Sequence, residues 1–182
     1  MAAAVWALTG CSGGDGAGGQ TSPALEASLR DAAFTGDAPR VRTLIKDGVS
    51  LDGLDEEGRS ALMLAAYSGD VKVAQALVDG GADVNLTDNN GRTALMFAAS
   101  GTNPAAVEAL LSNGAEQQFQ DVEGYTALMW AAAEGQTRNV ELLLEYGGDP
   151  NIRDQDGDTA RTFAENAGHQ EAAAALAAAG GQ

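Results

Sequence analysis

Short runs of apolar residues alternate with polar, glycine-containing segments along most of the chain, and their spacing predicts pairs of short helices. In one clear unit the apolar face of the first helix consists of Leu95, Ala98 and Ala99. The apolar face of the second helix consists of Val107, Leu110 and Leu111. We expect Thr93 and Asn103 to cap the two helices, with Pro104 at the first position of the second helix. Gly114 then ends the unit, as glycine commonly does just beyond a helix.

This helix pair is one copy of a repeat with a period of 33 residues. A turn glycine marks each copy, at Gly58, Gly91, Gly124 and Gly157. A segment of the form Ser/Thr-Ala-Leu-Met-x-Ala-Ala follows the first three of these glycines, and a degraded form follows the fourth. A fixed period of this size predicts a stack of small units. Such stacks usually offer an extended binding surface rather than a catalytic pocket.

The repeated motif resembles that of ankyrin-repeat proteins. It reads Asp-x-x-Gly-x-Thr-Ala-Leu, then Ala-Ala, then Leu-Leu-x-x-Gly-Ala-Asp-x-Asn, and the resemblance covers about residues 24–180. It implies an all-α repeat solenoid, in which ankyrin helix-turn-helix units with β-turn or hairpin tips are stacked. Three full internal repeats, 56–88, 89–121 and 122–154, would lie between an N-terminal capping repeat at 24–55 and a C-terminal capping repeat at 155–180.

One departure from the family motif occurs in all three internal repeats. Methionine stands where the family usually has histidine, at Met63, Met96 and Met129. The hydrogen bonds that this histidine makes between neighbouring repeats are therefore missing. We expect the flexible methionine side chains to fill the space instead.

The first residues differ in character from the repeats. The segment Leu8-Thr9-Gly10-Cys11 resembles the lipobox of bacterial lipoproteins, in which the signal is cleaved before a cysteine that is then lipidated. The resemblance implies a signal peptide at 1–10, and a lipidated Cys11 on a Gly/Ser-rich tether at 11–23. Since no Lys or Arg precedes Arg30, we expect the true signal to begin upstream of Met1.

The lipobox also predicts where the protein acts. We expect a lipid-anchored protein of the bacterial cell envelope that faces the periplasm, at the outer membrane if the cell is Gram-negative. A cysteine that occurs once in an exported chain is also explained by lipidation. The alternative is a cytoplasmic protein whose leader is not processed.

Composition restricts the partners. The formal net charge is −16, and the chain has no basic stripe of the kind that binds nucleic acid. Repulsion from phosphate makes nucleic acid and anionic lipid poor partners, so we expect membrane contact only through the anchor at Cys11. A basic protein surface or a cation would be attracted, although acidity could serve solubility alone. We expect a monomer that binds a protein partner.

Catalytic constellations are absent from the sequence. The chain has one histidine, His169, and one cysteine, so neither a zinc site nor a nucleophilic triad can be assembled. We assign His169 a structural, capping role, and we expect no enzyme activity and no cofactor. Four acids, Asp154, Asp156, Asp158 and Glu165, have a spacing that resembles a calcium loop. The glycine that such a loop requires is replaced by Thr159, which disfavours this interpretation.

The family resemblance implies that the turn tips and the exposed ends of the first helices contact a partner along a concave groove. The corresponding positions of this chain are Glu56, Glu57, Arg59, Tyr67, Ser68, Asn89, Asn90, Arg92, Ser100, Glu123, Tyr125, Glu134, Gln155, Asp156 and Asp158. Tyr67 and Tyr125 are the best anchor candidates, because tyrosine combines a large contact area with a polar group. We expect Arg59 and Arg92 to pair with an acidic residue of the partner.

Three further aromatic residues share one register of the first helices: Phe97, Trp130 and Phe163. We expect them to pack in the core between repeats rather than to contact a ligand. The sequence thus predicts a non-catalytic, envelope-tethered interaction module. Two alternatives are an inhibitor or immunity-like protein for a basic toxin or enzyme, and a carrier or chaperone that supplies a cofactor or metal to an envelope enzyme.

Overall fold

The computed structural model describes residues 22–181, which form ten short helices. They are α1 (Pro23–Thr35), α2 (Ala38–Lys46), α3 (Ala61–Ser68), α4 (Val71–Asp79), α5 (Ala94–Ser100), α6 (Pro104–Ser112), α7 (Ala127–Ala133), α8 (Thr137–Glu145), α9 (Ala160–Ala167) and α10 (Gln170–Ala178). The predicted signal peptide, Cys11 and all but the last two residues of the predicted tether lie outside the described residues. The first helix begins at Pro23, the last residue assigned to the tether.

Local signals start and end the helices as the sequence predicts. The Thr93 hydroxyl accepts a hydrogen bond from Met96 N, and the Asn103 side chain accepts one from Ala105 N. Pro104 is the first residue of α6, and Gly114 follows this helix with a φ of 87°. A left-handed φ of this kind is strained for other residues, which explains the glycine.

The helices stack in two layers. The odd-numbered helices α1, α3, α5, α7 and α9 pack on one another in chain order, and the even-numbered helices α2 to α10 do the same. We call the odd-numbered series the inner helices and the even-numbered series the outer helices. A single hydrophobic core extends between the layers from Leu29 to Leu176. The fold is therefore the all-α repeat solenoid that the sequence predicts, and among residues 22–181 its β-structure is limited to one bridge, between Thr87 and Thr93.

The methionines that replace the family histidine are buried. Met63, Met96 and Met129 are each at most 2 % exposed. The sulfur atoms of Met63 and Met129 also accept hydrogen bonds, at 3.4 Å, from the backbone N–H groups of Ser60 and Thr126 at the start of the same helices. These sulfurs therefore help to cap the inner helices.

Side-chain amides and one imidazole join neighbouring repeats. Asn103 Nδ2 donates to the carbonyl of Gly69, and the buried Asn139 Nδ2 donates to that of Ala99. His169 lies at the N-cap position of α10, but its side chain bonds no backbone N–H there. Its Nε2 lies 3.1 Å from the carbonyl oxygen of Ala133 in the preceding unit. The structural role assigned to His169 therefore holds, but the contact joins repeats rather than capping a helix.

No helix among the described residues has both the length and the apolar character needed to cross a membrane.

Candidate functional site

The turn before each inner helix from α3 to α9, which we call a tip, is folded around one aspartate. Its Oδ1 accepts hydrogen bonds of 2.7–3.1 Å from the backbone N–H groups two and four residues later. The four aspartates are Asp55, Asp88, Asp121 and Asp154. Asp side chains favour such turns because they bond nearby backbone groups. The period of 33 residues thus places one carboxylate in every tip.

In the first two tips an arginine neutralises this carboxylate. Arg59 and Arg92 each place a guanidinium nitrogen 2.8 Å from the tip aspartate four residues earlier, Asp55 and Asp88 respectively. Burial alone would raise the pKa of Asp55, but the hydrogen bonds and the charge of Arg59 outweigh it and hold that pKa below its usual value. The two arginines, which were expected to pair with an acidic residue of a partner, thus already pair with acids of their own chain.

Hydrogen bonds join adjacent tips to one another. The Asn89 side chain donates to the carbonyl of Glu56, and the Gln155 side chain donates to that of Val122. Backbone bonds, such as Val122 N to Asn90 O, complete the connection. Asn89 and Gln155 were predicted to contact a partner, but their amide groups hold the tips together.

Aromatic rings cover the inner helices in two clusters. The first cluster contains Phe34, Tyr67 and Phe97, with ring centroids of neighbours 6.4 Å and 6.2 Å apart. Phe34 is 51 % exposed and Tyr67 is 63 % exposed. The Arg92 guanidinium lies 4.7 Å from the centroid of the Phe97 ring, a distance typical of cation–π contact.

The second cluster contains Tyr125, Trp130 and Phe163. The Tyr125 ring lies edge-on to the other two, at centroid distances of 5.8 Å and 4.9 Å. Trp130 Nε1 donates to Asp121 Oδ2 at 3.0 Å, so the tip aspartate also orients the indole ring. Phe97, Trp130 and Phe163 rest on the core on one side. They are half-buried, so they pack on the core as expected but keep part of their surface accessible.

A cavity of about 350 Å³ separates the two clusters. Its walls are Tyr67, Arg92, Met96, Phe97, Ser100, Trp130 and Glu134. We call this cavity together with both aromatic clusters the groove. A cavity that combines apolar and aromatic side chains with a few polar groups is typical of a ligand or peptide site.

A family comparison agrees with the fold. The family model of ankyrin repeats matches the chain in three copies, at residues 29–121, 77–154 and 102–182. The chain is an ankyrin-repeat protein. None of the curated proteins compared with it matches. Ankyrin repeats indicate a protein-interaction module, and the fold is typically non-catalytic.

This ankyrin-repeat protein brings together only some of the residues predicted to bind a partner. Tyr67, Tyr125, Ser100, Arg92 and Glu134 lie in the groove. The hydroxyls of Ser68 and Ser100 donate to carbonyls of their own helices. The exposed residues among the predicted tip positions are Glu56, Glu57, Asn89, Asn90, Glu123, Gln155 and Asp156, and Asp158 is half-buried beside them.

Sequence reasoning missed Phe34 as a member of the groove. Its signal was present, because Phe34 precedes Tyr67 by one period of 33 residues. The N-terminal capping repeat lacks the opening motif, so Phe34 was not aligned with Tyr67 of the next repeat.

The four acids proposed for calcium do not converge. Asp154 Oδ1 is occupied by the backbone N–H groups of Asp156 and Asp158, and Glu165 pairs with Arg161 at 2.6 Å. Within residues 22–181, no group of three or more potential ligands is placed to hold a metal ion. The ankyrin turn accounts for the spacing of these acids.

The C-terminal half of the groove is electronegative. Burial raises the pKa of Tyr125, and four neighbouring carboxylates raise it further: Asp154, Glu123, Asp156 and Asp121. Negative charge disfavours the phenolate form. The second aromatic cluster is therefore surrounded by carboxylates, whereas the first is bordered by arginines.

Proposed function

We propose that this protein binds a partner protein through the groove and carries out no catalysis. The observation that supports this proposal is the pair of partly exposed aromatic clusters on either side of a cavity of about 350 Å³. Aromatic side chains at the centre of an interface contribute much of its binding energy. A folded domain leaves such residues accessible mainly where another molecule covers them.

The test is capture of a partner with matched variants. The full chain is immobilised and exposed to bacterial envelope extract beside two variants, Tyr67→Ala in the groove and Tyr146→Ala at the end of α8. Tyr146 is 45 % exposed and lies outside the groove, so it controls for the loss of an exposed tyrosine. We expect Tyr67→Ala to weaken capture of a discrete partner by at least about tenfold, the usual effect of removing an interface anchor.

The control should capture the partner as well as the unaltered chain does. Equal capture by all three proteins, or loss with Tyr146→Ala alone, would contradict binding through the groove.

We further propose that a lipid on Cys11 tethers the protein to the bacterial cell envelope, with the repeats in the periplasm. The support is the sequence Leu8-Thr9-Gly10-Cys11, followed by a Gly/Ser-rich segment. Multiple acyl chains on one cysteine provide stable anchoring, whereas a single chain binds a membrane only weakly. The groove would then meet partners in the envelope.

Substitution of Cys11 tests the tether. The chain is expressed in a bacterium with a short lysine-containing extension that supplies the basic region of the predicted signal. We expect the unaltered chain to incorporate an alkyne-labelled fatty acid and to sediment with membranes, because thioether acylation requires the thiol. Cys11→Ser should do neither. Labelling of Cys11→Ser, or its equal recovery with membranes, would refute lipidation at this residue.

A further inference from the structure

The four tips differ in how their aspartate is neutralised. Arg59 and Arg92 occupy the fourth position after the tip aspartate in the first two tips. The equivalent residues in the last two tips are Tyr125 and Asp158. Among residues 22–181, none of the ion pairs includes Asp121 or Asp154. A cation that the first two repeats supply from within the chain is thus missing from the last two.

Nearby cations of the chain do not replace it. Arg138 pairs with Glu141 and Glu145 on the outer helix α8, and Arg161 pairs with Glu165. Arg153 donates to the carbonyl oxygen of Gly157. None of these three arginines forms an ion pair with a carboxylate beside the second aromatic cluster.

The site combines two features that recognise a cation. Tyr125, Trp130 and Phe163 offer partly exposed aromatic rings. In the last tip Asp154 is 91 % buried, with only its Oδ1 bonded to the turn, and Asp158 is half-buried beside it. Asp121 in the third tip contributes its negative charge, since its Oδ2 already accepts from Trp130 Nε1. An aromatic face attracts a guanidinium through its quadrupole, and a carboxylate accepts hydrogen bonds from the same group. Arginine can use both interactions together, because its guanidinium is planar and carries several donors.

We propose that the second aromatic cluster and the last two tips bind an arginine side chain of a basic segment in the partner protein. This segment would supply the cation that Arg59 and Arg92 supply in the first two tips, while a neighbouring apolar side chain enters the cavity between the clusters. The proposal rests on the proposed function, since it names the chemistry of the partner that the groove binds. Charge complementarity selects a basic protein segment as the occupant.

The test uses peptides selected from a random library displayed on phage, with the full chain as target. We expect arginine to be enriched among peptides whose binding Tyr67→Ala weakens. One such peptide, labelled with fluorescein, is then titrated by fluorescence anisotropy against the variants Asp158→Arg and Glu108→Arg. Both variants change the net charge equally, but Asp158 lies in the last tip, whereas Glu108 is exposed on the outer helix α6.

Asp158→Arg recreates the spacing of the Asp88–Arg92 pair, so it should be compatible with the fold and should occupy the carboxylate of Asp154. We expect it to raise the Kd of the peptide by at least about tenfold, as loss of a close interfacial charge pair does. Glu108→Arg should raise it by no more than about twofold, since distant exposed charges contribute little. Replacing the arginine of the peptide with glutamine should weaken binding to the unaltered chain. If Asp158→Arg fails to fold by circular dichroism, Asp158→Asn is titrated instead, with a smaller loss expected.

The outcomes separate this inference from the function on which it rests. Peptides that require Tyr67 but show no arginine preference, and that bind Asp158→Arg normally, would refute the inference and leave the groove as a binding site. An equal loss with Asp158→Arg and Glu108→Arg would show attraction to net charge alone and would also refute it. If no selected peptide depends on Tyr67, both the groove and the inference fail.

Discussion

At the residue scale, one position of the repeat decides the electrostatic character of each tip. The tip aspartate is kept in all four copies, because its Oδ1 closes the turn. The residue four positions later is an arginine, an arginine, a tyrosine and an aspartate in turn. The hydrogen bonds from the backbone to the aspartate are therefore the same in every tip. The net charge differs, because only the first two tips carry an arginine beside the aspartate.

The pKa of Tyr125 depends on the negative charge of the tips beside it. Its pKa lies above the usual value of 10.0, because of burial first and the carboxylate of Asp154 next. A tyrosine whose folded pKa is raised contributes stability that is complete below the unfolded pKa and is lost as the pH rises through the folded pKa. We expect Asp154→Asn to lower the pKa of Tyr125, since one negative charge beside the phenolate is removed while the amide oxygen can still close the turn.

The measurement is an NMR titration of ¹³C-labelled tyrosine rings, with the Tyr125 signal assigned through Tyr125→Phe. Asp149→Asn serves as the control, because it removes one charge at an exposed position outside the carboxylates that act on Tyr125. An equal change in both variants, or none in Asp154→Asn, would show that the local carboxylates do not determine this pKa.

At the element scale, stacking gives the repeated turn glycines two different roles. Gly124 and Gly157 share a left-handed φ, 89° and 88°. A Cβ on Gly124 would lie 2.9 Å from Gln155 N and 3.0 Å from the Cα of Asp154 in the next tip. A Cβ on Gly157 would meet nothing within 4 Å. The first glycine is thus required by φ and by close approach, and the second by φ alone.

The two alanine variants should therefore differ in stability. Gly157→Ala should lower the free energy of unfolding by about 1–2 kcal/mol, the cost of a left-handed conformation with a side chain. Gly124→Ala should cost about 1–3 kcal/mol more, because its methyl group displaces the neighbouring tip. Urea unfolding of the full chain, followed by circular dichroism, measures both values. Equal losses would show that the tips do not pack as closely as described.

At the scale of the whole molecule, the net charge of −16 hides an uneven distribution. Seven of the ten Lys and Arg residues precede residue 93, and the remaining three are Arg138, Arg153 and Arg161. Arg138 and Arg161 pair with acids, and Arg153 donates to the carbonyl oxygen of Gly157. The first two tips each hold an arginine paired with their aspartate, whereas the last two tips do not. The proposed attraction to a basic segment therefore belongs to the C-terminal end of the stack.

Most of the fold could be predicted from the sequence, but less of the site. The period, the helix caps and the turn glycines were all read correctly, since each depends on bonds between residues a few positions apart. Tyr67 was also identified as an exposed anchor candidate. The bonds that Arg59, Arg92 and Asn89 make within the chain were not predicted, because exposed positions in a motif do not reveal which atoms they bond.

The sequence by itself determined the repeat unit, the ankyrin family and the all-α stack, because local hydrogen bonds and helical periodicity specify them. Only the tertiary structure decided which side chains meet on the surface and which of them stay accessible. Phe34 meets Tyr67, and Tyr125 meets Phe163, across the boundaries between repeats. Such contacts depend on how far each unit is rotated on its neighbour and on which rotamers the packing allows. For the same reason, the unneutralised carboxylates of the last two tips became visible only when the side chains around them were placed.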